Sequence, residues 1–212
     1  MTPDAERASA DAPTATAPRR GRPGYDRDQV LAAAVLLFTQ RGYDATSVSD
    51  ITGRLGVSKA ALYHHFSSKE EMLRIALDSA LGSLEQVLET ALRSPGPATS
   101  RLEQVVTGAV HVLTDELPTV TLLLRVRGNS QVELAAMQRR RTFDQRVAAL
   151  VAEAQGEGGV RDDIEPALLT RFVFGMINSL VEWYRPEGPV LPDDIAADVV
   201  QVAMTGLRGR CR

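Results

Sequence analysis

Residues 46–69 read TSVSDITGRLGVSKAALYHHFSSK, and this stretch decides the fold. Thr46 or Ser47 caps a first helix, because a short side-chain oxygen accepts a hydrogen bond from an unpaired first-turn N–H. Val48, Ile51 and Leu55 then share one face at spacings of three and four. Gly56 ends that helix, since a residue without Cβ tolerates the left-handed conformation. Val57 plugs the corner. Ser58 caps a second helix, Lys59 to Phe66, with Leu62 and Phe66 turned inward. Two short helices joined by a tight turn make a helix-turn-helix, whose second helix is built to enter a DNA major groove.

The run ITGRLGVSKAALYHHFSSKEEML, with RGYDATSV ahead of it, resembles the N-terminal DNA-binding domain of the TetR family of transcriptional regulators. The resemblance covers roughly residues 25 to 75. It includes the Gly56-Val57-Ser58 turn, the Leu62–Phe66 block and Ser68-Lys69-Glu70 at the next helix. It implies an all-α protein of about nine helices, working as a homodimer on operator DNA and answering to a small effector.

Moving outward, the chain has 212 residues, 44% of them hydrophobic and only 5% aromatic. Periodic Ala/Leu/Val segments argue for helices rather than a sheet. The net charge is −3, unevenly spread. Residues 19–74 carry nine Lys+Arg against six Asp+Glu, whereas residues 75–212 carry fourteen against eighteen. The only lysines, Lys59 and Lys69, both lie in the quoted stretch. A mildly basic segment on an acidic body suits a protein presenting one face to a polyanion. The single cysteine, Cys211, allows no disulfide within the chain, and the first twenty residues lack the apolar core of a signal peptide. The apolar run Phe172–Val181 is too short to span a bilayer. A soluble, cytoplasmic protein with no membrane partner is expected.

Three segments follow: a disordered arm (1–24), a DNA-binding domain (25–72) and a ligand-binding and dimerisation domain (73–212). Arg20 and Arg22 in the arm suit a minor groove, whose negative potential attracts arginine; the alternative is a basic linker. Asp26 with Gln29 forms a capping box for helix 1, which ends near Gly42. Ser68 starts a long fourth helix with an inward stripe of Met72, Ile75, Ala76, Ser79, Leu84, Val87, Leu88 and Leu92. Five more helices are predicted, at roughly 101–116, 118–126, 131–153, 166–184 and 192–207.

For DNA, Lys59 is expected on a phosphate or guanine, and Ala60 allows close approach to the groove. Ser58 joins this face as the cap. Thr46 and Ser47 are expected to offer hydroxyl and backbone donors to a phosphate, and Lys69 a charge at a helix N-terminus. The resemblance implies that Tyr63 and His64 contact phosphates; His65 reads as packing. Few of these side chains read bases, so DNA shape and the arginine arm are expected to contribute.

For the effector, the candidate lining is Val110, Leu113, Leu122, Leu123, Phe143, Val147, Phe172, Met176 and Trp183, each of which also reads as ordinary core. Arg125, Arg127 and Arg139–Arg141 are either solvated surface or a seat for an acidic group. The segment WYRPEGP at 183–189 resembles the same place in TetR-type regulators of fatty-acid, sterol and aromatic-acid breakdown. That makes an acyl-CoA thioester the leading ligand class, with a lipophilic drug and control of an efflux gene as the alternative. The dimer interface is expected on the helices at 166–184 and 192–207, through Phe174, Gly175, Ser179, Val199, Val202 and Ala203.

No cofactor, metal or catalytic residue is expected. His64 and His65 sit in the DNA helix, and His111 with Asp115 has no third ligand. An enzyme is therefore disfavoured. A structural DNA-binding protein without an effector stays open, and a sizeable C-terminal cavity separates it from a ligand-responsive repressor.

Overall fold

The computed structural model describes residues 25–208; the arm with Arg20 and Arg22, and Cys211, lie outside them. The described residues form helices and no strands. Their order is α1 (Arg27–Arg41), α2 (Val48–Leu55), α3 (Lys59–His65), α4 (Lys69–Arg93), α5 (Ala98–Asp115), α6 (Leu117–Arg125), α7 (Gln131–Gly156), α8 (Pro166–Asn178), α9 (Leu180–Trp183) and α10 (Pro192–Leu207). The single turn α9 continues α8 past a break at Ser179, where one long helix is predicted. None of the described helices is long and apolar enough to cross a membrane.

Local chemistry sets the N-terminal helices. Asp26 and Gln29 exchange backbone hydrogen bonds at 2.8 and 3.1 Å, the capping box at the head of α1. Ser47, not Thr46, caps α2, and Asp50 reaches back to the Ser47 N–H at 2.8 Å. Ser58 and Ser68 cap α3 and α4. Each cap contributes about 1 kcal/mol. Gly56 closes α2 in the left-handed region (φ 67°), which lets the chain turn at once into α3. Beneath these helices Phe38, Ile51, Leu62, Phe66 and Met72 are almost wholly buried. Truncating one such side chain costs roughly 2–5 kcal/mol.

Helix α4 runs from this bundle into the C-terminal body, where it packs on α5, α6 and α7. Its buried face is Met72, Leu73, Ala76, Leu77, Ala80, Leu81 and Leu88, about one residue round from the predicted stripe. Ser79 is exposed and donates to Glu116 at the α5–α6 corner. The shift follows from α4 being packed along adjacent rows by several helices, so one stripe does not describe it. At Gly108 of α5 an added Cβ would lie 2.5 Å from Val87 of α4, so glycine there sets the α4–α5 spacing.

Candidate nucleic-acid interface and effector cavity

Helix α3 buries Leu62 completely and presents Lys59, Ala60, Tyr63 and His64 to solvent. Their spacing of four, Lys59 to Tyr63 and Ala60 to His64, makes them one outward face. Ser58 and Ser47 are exposed at the helix starts beside it. This gives a cation, a phenol, an imidazole and two hydroxyls over small residues that allow close approach.

Two predicted DNA contacts take other roles. Thr46 is fully buried; its hydroxyl donates to the Gly42 carbonyl at 2.8 Å. It locks the α1–α2 turn, so its side chain does not reach a phosphate. Lys69 is half-buried, with Nζ donating to the carbonyls of Tyr43 and Thr46, both at 2.8 Å. The same ammonium lies 4.0 Å from the centre of the Tyr43 ring. Lys69 therefore clamps the turn ahead of α2. Its charge on the sequence pointed outward; two carbonyls and a ring, all distant in sequence, draw it in.

The C-terminal body encloses a cavity of about 670 Å³ between α4, α5, α6, α7 and α8. That is within the size range of small-molecule sites, roughly 300–1,000 Å³. Leu113, Leu123 and Phe143, three of the candidate lining residues, lie on its wall. The other candidates do not. Val110, Leu122 and Val147 are buried in the core away from it, and Met176 is half-buried on another side of α8. Phe172 and Trp183 point to solvent, at 58% and 53% exposure. Arg125 is taken up by the Thr39 carbonyl of α1, at 2.7 Å. Sequence reasoning missed Leu81 and Leu84 of α4, and Arg171, Phe174 and Asn178 of α8. A cavity drawn from five helices has no spacing signature.

The arginines divide by partner. Arg139 pairs with Asp78 at 2.6 Å and Glu85 at 2.8 Å, tying α7 to α4. Arg140 and Arg141 turn instead to the cavity wall, joined by Arg171 from α8. Asp144 is half-buried among them, and loss of hydration pushes its carboxyl up despite the nearby Arg140 and Arg171. The exposed Arg141 and Arg171 mark the mouth, and buried Leu113, Leu123 and Phe143 the interior.

The predicted dimer set also divides. Gly175, Ser179 and Val202 are exposed. Leu168, Phe172 and Trp183 are likewise exposed, which leaves large apolar side chains uncovered on α8 to α10, while Gly175 also borders the cavity. Phe174 instead turns into the cavity, edge-on to Phe143 at 5.4 Å. Val199 and Ala203 are buried on the side of α10 that packs on α5 and α8. Helix α8 is apolar on several sides and α10 along a stripe, and only packing shows which face is already covered. His111 meets Asp193 of α10 at 3.1 Å and not Asp115. Among the described residues no three His, Cys, Asp or Glu side chains cluster as metal ligands.

Residues 30–75 match the family model described as bacterial regulatory proteins, tetR family, and residues 95–207 the one described as tetracyclin repressor-like, C-terminal domain. The chain is 30% identical over 195 residues to the HTH-type transcriptional repressor KstR2 of Rhodococcus jostii, covering 85% of this chain and 90% of that protein. It is 29% identical over 204 residues to KstR2 of Mycolicibacterium smegmatis, covering 88% and 92%. A crystal structure of a TetR-family regulator from Streptomyces coelicolor A3 aligns with a TM-score of 0.78 at 50% identity, covering 84% and 90%.

Proposed function

We propose that this chain, which belongs to the TetR family of bacterial transcriptional regulators, is a cytoplasmic repressor released from a near-palindromic operator by an acyl-CoA thioester. Residues 25–72 form the DNA-binding unit, with the 1–24 arm ahead of it, and residues 73–212 the effector-binding and dimerising unit. Ser47, Ser58, Lys59, Ala60, Tyr63 and His64 meet the DNA, and Arg20 and Arg22 enter the minor groove. Two copies join through the apolar face of α8 and α10, which sets the half-site spacing.

One observation carries this reading. Helix α6 lines the cavity through Val120, Leu123 and Leu124, and the same helix holds α1 through Arg125. A ligand that displaces α6 therefore acts on the DNA-binding unit, which is what coupling between two sites requires. The cavity weighs against a structural DNA-binding protein without an effector. The apolar interior and arginine mouth favour an acidic amphiphile. Asp144 favours the second reading, a lipophilic cation and an efflux gene, but one carboxylate faces three guanidiniums in that wall.

The test is fluorescence anisotropy on labelled DNA from upstream of the chain's own gene, with acyl-CoAs and lipophilic cations added in turn. Release by acyl-CoAs alone is expected. Release by the cations alone replaces the first reading with the second.

A further inference from the structure

Among the described residues that line the cavity, Asp144 is the one carboxylate. It stands on α7 one turn after Arg140 and faces Arg171 of α8; both charges act on it, yet among the described residues it makes no direct hydrogen bond or close ion pair. Its neighbours behave differently: Arg139 is held by Asp78 and Glu85, and Arg146 by Glu89 at 2.7 Å. Asp144 also occupies a particular depth. Arg141, Gln145 and Arg171 around it are exposed, whereas Phe143, Leu113 and Leu123 are buried. The half-buried Asp144 thus sits where the apolar chamber meets the arginine mouth.

A half-buried carboxylate that is balanced by the charges of Arg140 and Arg171 but hydrogen-bonded to neither keeps its oxygens open to a ligand that donates to it. A ligand lying across this boundary must bring an N–H or O–H to that depth. A second carboxylate at that depth meets the Asp144 charge at close range, whereas the exposed Arg141 and Arg171 stand at the mouth. An acyl-CoA thioester has its groups in the matching order: an apolar chain, then the amide and hydroxyl donors of the pantetheine arm, then phosphates. A free fatty acid has the same chain but ends in a carboxylate close to Asp144.

We infer that Asp144 is a specificity-determining residue of the effector site, accepting a hydrogen bond from the pantetheine arm and excluding the free acid of the same chain. This rests on the acyl-CoA reading above. It assigns the arginines to the phosphates and Asp144 to discrimination between thioester and acid. Burial, which holds the carboxyl up, strengthens its demand for a donor.

The experiment is calorimetric titration of the full chain with an acyl-CoA, the matching S-acyl-pantetheine and the matching free acid, using wild type, Asp144→Asn and Asp144→Leu. Wild type should bind acyl-CoA most tightly, acyl-pantetheine next and the acid least. Asp144→Asn keeps shape and an acceptor but removes the charge, so acid affinity should rise by about tenfold relative to the thioesters. Asp144→Leu should lose about tenfold for acyl-pantetheine, the range of one hydrogen bond to a charged group. If Asp144→Leu does not fold, Asp144→Asn alone decides. Thioester binding with an acid-to-thioester ratio unchanged in Asp144→Asn overturns the inference and leaves the effector reading standing. Absence of thioester binding to wild type overturns both.

Discussion

Arg125, the last residue of α6, donates from Nη1 to the carbonyl of Thr39 in α1 at 2.7 Å. A second link lies beside it, where Asn129 donates to Asp44 at 3.0 Å. The loop carrying Asn129 is held from within by one side chain. The buried Glu133 accepts from the N–H groups of Arg127, Gly128 and Asn129 at 3.0, 2.7 and 2.9 Å. The α6–α7 corner thus grips the turn that leads into the helix-turn-helix.

Arg125→Ala should leave effector affinity of the DNA-free protein unchanged but shrink the effect of effector on operator affinity. Site-to-site coupling is typically about 1–3 kcal/mol, and one hydrogen bond of about 1 kcal/mol is a large share of it. Operator affinity measured with and without effector gives the ratio. A ratio equal to wild type removes Arg125 from the coupling path.

Lys59 and Lys69 should respond differently to alanine. Lys59→Ala should make the salt dependence of operator binding shallower by about one unit of slope, with melting unaltered. Lys69→Ala removes a clamp on two carbonyls and a ring, so it should lower stability by about 1–3 kcal/mol. Denaturant melts of both variants decide this, and an unchanged Lys69→Ala midpoint would count against the clamp.

Phe172→Glu and Val202→Glu should each give folded monomers in sedimentation, because both side chains are exposed on the α8–α10 face. Val199→Glu should unfold the body instead, since it buries a charge between α10 and α5. Dimers persisting in both exposed-site variants would place the interface elsewhere.

Acid should weaken the starts of α2 and α4. Hydrogen bonds from Ser47 hold the Asp50 carboxyl below its ordinary value of 3.8, and those from Ser67 hold Glu71 below 4.5. A lowered folded value means stability that is present above the ordinary carboxylate range and lost as pH falls below it. Asp50→Asn with Glu71→Gln should flatten the fall in melting temperature between neutral pH and about pH 3. An unchanged acid limb would show that other carboxylates dominate.

The N-terminal bundle was legible because its signals are local. Asp26 with Gln29, Gly56 and Ser58 act within one or two turns, and each stands where its type predicts. The outward face of α3 followed from the same periodicity, once Leu62 and Phe66 were placed inside. Thr46 and Ser47 mark the limit: both are competent caps, and only the packing of α1 against α2 buries one and exposes the other.

From its order of residues alone, the chain determined its helices, their caps and the family to which it belongs, because hydrogen-bonding along a helix and the 3.6-residue period need only near neighbours. Tertiary structure decided what those helices do with their faces. It drew Lys69 inward, turned Phe174 to the cavity and Phe172 to solvent, and set Asp144 half-buried among arginines. Burial and charge depend on which helices lie alongside, and α4 to α8 meet at the cavity from positions nearly a hundred residues apart.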